Sequence, residues 1–126
     1  MKKIITTLNA PAPIGPYNQA ILINDTLYLS GQIGLDPHSM ELVEGGIPKE
    51  TKQVMENLKS VLEAAEMTFD HVVKSSIFLV DMNDFGQVNE IYGSYFNNET
   101  APARETIAVK TLPKNVRVEI SMIAVK

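Results

Sequence analysis

The 126-residue chain contains no cysteine and no tryptophan, and its only histidines are His38 and His71. Without cysteine there is no disulfide, no thiolate nucleophile, no Cys-type zinc site and no Cys-ligated iron–sulfur centre. The two histidines lack any paired ligand spacing, so no metal site is expected. There is no excess of positive charge: 11 Lys and Arg stand against 15 Asp and Glu, a net charge of −4, and nothing in the overall field would gather phosphate backbones. No apolar run approaches the roughly 18 residues of a membrane span. Met1-Lys2-Lys3 starts basic but is not followed by the apolar run of a signal peptide, which makes a cytoplasmic protein the expectation. The sequons Asn24-Asp25-Thr26 and Asn98-Glu99-Thr100 then carry no glycan.

Hydrophobic residues make up 44% and charged residues 21%, the composition of a chain that folds around a core. Residues 1–126 are read as one domain. Pro11, Pro13, Gly15 and Pro16 make a constrained, irregular entry from which Tyr17 emerges. Ala20–Ile23 and Thr26–Ser30, joined by Asn24-Asp25, predict a hairpin, because Asn and Asp tolerate positive φ. Residues 31–48 hold enough glycine and proline to be a loop. From Lys49 to Glu66, Val54, Leu58, Val61, Leu62 and Ala65 recur at steps of three and four and predict an amphipathic helix; Lys52, Glu56, Lys59 and Glu63 fall on its other faces.

Val72–Val80 is rich in β-branched residues and reads as a strand. A second helix follows, with Asn83 or Asp84 as cap and Phe85, Val88, Ile91, Tyr92 and Tyr95 on one stripe that belongs to the core. Glu105–Lys110 predicts a short strand, Pro113-Lys114-Asn115 a turn, and Val116–Val125 a last strand with Val118, Ile120, Met122 and Ala124 on one side and Arg117, Glu119 and Ser121 on the other. The fold class is α+β: a mostly antiparallel sheet with two helices packed on one face. The opposite face, for which Val73, Ile77, Leu79, Ile123 and Val125 are the expected apolar positions, has too few polar residues to be wet, and a homo-oligomer that covers it is the economical solution.

Few motifs carry chemistry. Gly31-Gln32-Ile33-Gly34 has the form of an RNA-clamping Gly-x-x-Gly loop, but a strand precedes it and Asp36 follows where basic residues are needed. Arg104 follows a proline-fixed turn in Ala101-Pro102-Ala103-Arg104, where a rigidly presented guanidinium could take a carboxylate at two points or form a surface ion pair. Glu119 stands between Val118 and Ile120 in a strand, an uncommon place for a carboxylate unless that face lines a cavity or interface. Its alternative role is a cross-strand ion pair, for which Arg117 of a neighbouring copy is the candidate.

Ile14-Gly15-Pro16-Tyr17-Asn18-Gln19-Ala20, Ser30-Gly31-Gln32-Ile33, Asn57-Leu58, Val88-Asn89-x-x-Tyr92, Ala101-Pro102-Ala103-Arg104, Leu112-Pro113 and Val118-Glu119-Ile120 run in order along the whole chain. Together they closely resemble the Rid/YjgF family of reactive-imine deaminases. The resemblance implies a chorismate-mutase-like homotrimer with sites in the clefts between subunits. It also implies cofactor-free hydrolysis of 2-imino acids such as 2-iminobutanoate and 2-iminopropanoate to 2-oxo acids and ammonia. Carried over residue by residue, Arg104 clamps the substrate carboxylate, Glu119 positions or activates water, and Tyr17 lines the pocket near the reacting carbon. The backbone of Gly31 and of Thr106 contacts the ligand, and Ser30 and Asn89 form the pocket wall. Thr106 stands where many members carry Cys, and Glu105 where a small residue is common; strand alternation puts Arg104 and Thr106 on one side and Glu105 on the other. Two other roles known for the family are a 2-oxo acid-binding regulator without turnover and, with the charge balance against it, an endoribonuclease.

Overall fold

A computed structural model describes all 126 residues. Its strands are β1 (Lys2–Ile5), β2 (Ala20–Ile23), β3 (Thr26–Gln32), β4 (Val72–Leu79), β5 (Ala103–Ala108) and β6 (Val118–Val125), and its helices are α1 (Gly46–Ala64) and α2 (Phe85–Gly93). The strands form one sheet in the order β1-β2-β3-β6-β4-β5. Every neighbouring pair is antiparallel except β4 and β5, which run parallel because α2 carries the chain back between them.

The predicted hairpin forms as read: Asn24 adopts φ 52° and Ile23 pairs with Thr26. The first helix begins three residues before Lys49. Gly45, at φ 115°, supplies the left-handed entry, and Pro48 is tolerated because the amides of a first helical turn have no partner within the helix. β1 has no counterpart in the sequence reading; three of its four residues are exposed, so it carries little alternation. β5 begins at Ala103 and β6 at Val118. Lys114 and Asn115, both at φ 56°, turn the chain before Val116, which is buried ahead of the strand.

The apolar stripe of α1 packs on β3 and β6 and against α2, and Val54, Leu58, Val61 and Leu62 have no exposed surface. β6 presents Val118, Ile120, Met122 and Ala124 to the helices as its alternation predicts. β4 departs from expectation. A bulge between Val72 and Lys74 shifts its register, so Ile77 and Leu79 lie buried beneath the helices and not on the opposite face. The apolar positions of that open face include Tyr28, Phe78, Ile107, Ile123 and Val125, continued by Ile21 and Ile4 on β2 and β1. Tyr28 is paired with Ile123, and Phe78 with both Glu119 and Ile107. Tyr28 is 50% and Ile107 46% exposed, so within one chain this face is uncovered. No helix is long and apolar enough to cross a membrane.

Candidate active site

β6 sets Glu119 on the open face, and the neighbouring end of β3 makes room for it. A bulge between Leu29 and Gln32 brings Gly31 against the Glu119 side chain so closely that a Cβ on Gly31 would lie 2.6 Å from Glu119 Oε2. Gly31 is therefore required by contact with a carboxylate, not by backbone conformation. Glu119 is half-buried and has no hydrogen-bond partner to hold its charge, so burial raises its pKa above the ordinary glutamate value. Next to it lies a cleft of about 270 Å³ lined by Tyr17, Gly31, Gln32, Ile33, Pro113 and Lys114 among others. The Tyr17 hydroxyl accepts a hydrogen bond from the Ile14 amide at 3.2 Å, and Ser30 Oγ donates to the carbonyl of Asn18, tying the segment that bears Tyr17 to β3.

Arg104 belongs to a different cleft. It pairs with Ser75 on β4, which pairs with Met122 on β6, a row that faces the helices. There its guanidinium lies 5.1 Å from the ring centre of Tyr92 and 5.6 Å from that of Phe85, and Nη1 donates to Asn89 Oδ1 at 2.7 Å. Asn89, Tyr92, Phe96, Ala101, Pro102 and Arg104 line a cavity of about 390 Å³. Tyr92 is fixed in turn by donating to Ser75 Oγ at 2.9 Å, and desolvation raises its pKa. Thr106, two residues along β5 on the same side as Arg104, has a buried hydroxyl oxygen without a partner.

The seven sequence-predicted site residues thus form two half-sites. Tyr17, Ser30, Gly31 and Glu119 gather at the end of β3 and β6, while Asn89, Arg104 and Thr106 gather between α2 and β5. The sheet separates Arg104 from Glu119 within one chain. Glu105 points away from Arg104, as alternation requires; it pairs with Lys74 at 2.8 Å and accepts from Ser76, contacts that lower its pKa. Arg117, the candidate partner for a neighbour's Glu119, has its Nε held 3.1 Å from Glu50 Oε1 within its own chain. No group of three or more His, Asp and Glu side chains is arranged to hold a metal ion.

Buried polar residues stand behind the site, and the sequence reading assigns them no role. Glu50 and Asn57 have no exposed surface. The signal was present, since positions 50, 54, 57, 58 and 61 share one helical face and two of them are polar. Asn57 Nδ2 donates to the carbonyls of Ile33 and Leu35, fixing the chain just after Gly31. Glu56, expected on a solvated face, accepts a hydrogen bond from the Tyr95 hydroxyl at 2.7 Å.

One six-stranded sheet with two helices on one face, one polar half-site at the end of its central strands and another beside its edge strand β5, defines a small α+β protein with clefts of a size for small molecules. The family model described as Endoribonuclease L-PSP matches residues 7–126, and the chain belongs to that family. A mouse protein named 2-iminobutanoate/2-iminopropanoate deaminase is 52% identical over 126 residues, covering 100% of this chain and 93% of the mouse protein. The crystal structure of a Rid-family protein from Yersinia pestis superposes with a TM-score of 0.96 at 48% identity, covering 100% of both chains. That of E. coli TdcF with bound serine gives a TM-score of 0.92 at 36% identity, covering 98% of each.

Proposed function

We propose that this chain hydrolyses reactive 2-imino acids, 2-iminobutanoate and 2-iminopropanoate among them, to 2-oxo acids and ammonia, in a homotrimer whose sites are completed between subunits. The observation that carries it is the division of the site. Arg104 lies in one half and the half-buried Glu119 in the other, on opposite sides of the sheet, and only a second copy can bring the two together. The uncovered apolar face of the sheet supports assembly, and the mouse relative's name supports the substrate class. A single domain acting in the cytoplasm is part of the same proposal.

In this mechanism Arg104 holds the substrate carboxylate by its free guanidinium edge, with the other edge and the ring faces of Phe85 and Tyr92 fixing its direction. Glu119 orients a water towards the imine carbon. The water oxygen bonds to that carbon, its proton passes by way of Glu119 to the imine nitrogen, and a carbinolamine forms. A second proton then moves from the carbinolamine hydroxyl to nitrogen, the C–N bond breaks, ammonia leaves and the carbonyl closes. Burial raises the pKa of this carboxylate, which makes it a better proton acceptor than an ordinary glutamate, and general acid–base catalysis of this kind is worth about 10²–10⁴-fold. The backbone of Gly31 and Thr106 and the walls formed by Tyr17, Ser30 and Asn89 orient the ligand.

The test couples the purified protein to a threonine dehydratase and follows semicarbazide trapping of the released imine. Faster 2-oxobutanoate formation and less semicarbazone are expected. No acceleration, together with intact binding of 2-oxobutanoate, would favour a 2-oxo acid-binding regulator.

A further inference from the structure

Gly34, the second glycine of the Gly31-x-x-Gly34 motif, also faces a glutamate. A Cβ there would lie 2.7 Å from Glu50 Cγ. Glu50 is wholly buried at the start of α1, yet its carboxylate is fully engaged: Oε2 accepts from the amides of Arg117 at 2.8 Å and Val118 at 3.2 Å, and Oε1 accepts from Arg117 Nε at 3.1 Å. Val118 immediately precedes Glu119. The two glycines thus serve one purpose at two places, each admitting a glutamate where a side chain would otherwise stand. One glutamate lies against Gly31 on the open face of the sheet and the other grips the strand from behind.

We propose that Glu50 is a positioning residue for Glu119. By clamping the entry of β6 to α1 it fixes where Glu119 sits against Gly31, while Asn57, two turns further along the same helix, fixes the exit of β3 through Ile33 and Leu35. α1 therefore sets the gap between the two walls of the Glu119 half-site. The effect on turnover rests on the imine-deaminase activity proposed above; the effect on Glu119 itself does not.

What Glu50 supplies to the backbone is an acceptor oxygen at the right reach, and a glutamine can present its own Oε1 to the same two amides while the half-exposed Arg117 guanidinium, losing its acceptor, turns to water. An aspartate keeps the charge but is one methylene short. Positioning therefore predicts the order Glu50→Gln above Glu50→Asp above Glu50→Ala, whereas a role for the negative charge predicts Asp above Gln. In the assembled protein, kcat for 2-iminobutanoate should fall about 10- to 100-fold in Glu50→Ala, as expected for a displacement near 1 Å, with KM little changed and Glu50→Gln within a few-fold of the native rate. Carboxyl-carbon NMR of Glu119 gives a readout independent of turnover. Its titration should move towards the ordinary glutamate range in Glu50→Ala and Glu50→Asp and stay in place in Glu50→Gln. If Glu50→Ala does not fold, the Asp–Gln comparison decides. Native Glu119 titration in Glu50→Asp, or an Asp variant more active than Gln, overturns the proposal. Native turnover in the Asp variant alongside loss of turnover in Glu119→Gln overturns it and leaves the deaminase activity standing.

Discussion

Replacing Gly31 by alanine puts a methyl group where the Glu119 carboxyl already is. The new carbon would stand 2.6 Å from Oε2, 2.8 Å from Cδ and 3.0 Å from Cγ, while ordinary contact begins near 3.4 Å. The carboxyl must therefore retreat by about 0.8 Å, the difference between 3.4 and 2.6 Å. Glu119 is a side chain with three rotatable bonds, and Gly31 does not occupy the left-handed region, so the retreat is accommodated by rotation and costs little stability. For a water-orienting group, a displacement of this size lowers the rate about 10²-fold, roughly 2.7 kcal/mol of barrier. Gly31→Ala should therefore fold and assemble much as the native protein does, with kcat for 2-iminobutanoate about 100-fold lower in the coupled assay. A Gly31→Ala protein with native kcat would refute the placement of Glu119 at the reacting centre. One that melts far below the native protein would show that the glycine serves packing.

Arg104→Ala should abolish both turnover and 2-oxo acid binding, and Arg104→Lys, which keeps the charge but loses the fork, should weaken 2-oxobutanoate binding about 10-fold or more by calorimetry. Equal affinity in the lysine variant would remove the two-point clamp. Because burial raises the pKa of Glu119 in the folded chain, the folded state binds the proton more tightly than the unfolded one, and stability attributable to this group falls as pH rises from the unfolded value through the folded one. Glu119→Gln should accordingly match the native protein in melts at acidic pH and exceed it near neutrality; a difference independent of pH would contradict the burial argument. Ile107→Lys places a charge on the uncovered sheet face and should yield folded monomers without turnover, read by light scattering and circular dichroism. A variant that still assembles would move the subunit contact elsewhere.

Those experiments bear on features of unequal visibility in the sequence. The Asn24-Asp25 turn, the α1 stripe and the β6 alternation are local patterns, and each appears where its pattern put it. β4 departs from its pattern for a local reason as well: Ile77, Phe78 and Leu79 are consecutive apolar residues, so alternation alone does not say which of them face inwards, and the bulge at Val73 decides it. The parallel pairing of β4 with β5 depends on the crossover through α2, which no residue pattern reports. At the site, Arg104 and Thr106 share a side as alternation requires, but that Glu119 lies on the other side of the sheet follows only from the register across three strands. Glu50 shows the opposite case, a polar residue on an apolar stripe whose meaning was available in the spacing.

The chain has no sulfur bridge to hold its first residues, yet they are held. Gln19, almost wholly buried, accepts from the Thr7 amide at 2.8 Å, and its Nε2 lies within 3.0 Å of the Thr7 carbonyl, 3.2 Å of that of Ala10 and 2.9 Å of that of Pro11. One amide thus fastens a five-residue span by both edges. Loops usually drift in length as a lineage diverges; this one is gauged by a fixed template, so a residue added or lost between Thr7 and Pro11 would leave Gln19 with unmet polar atoms in a dry interior. Tyr17 stands two residues from that template, and the ligand wall it forms inherits the same intolerance of change in length.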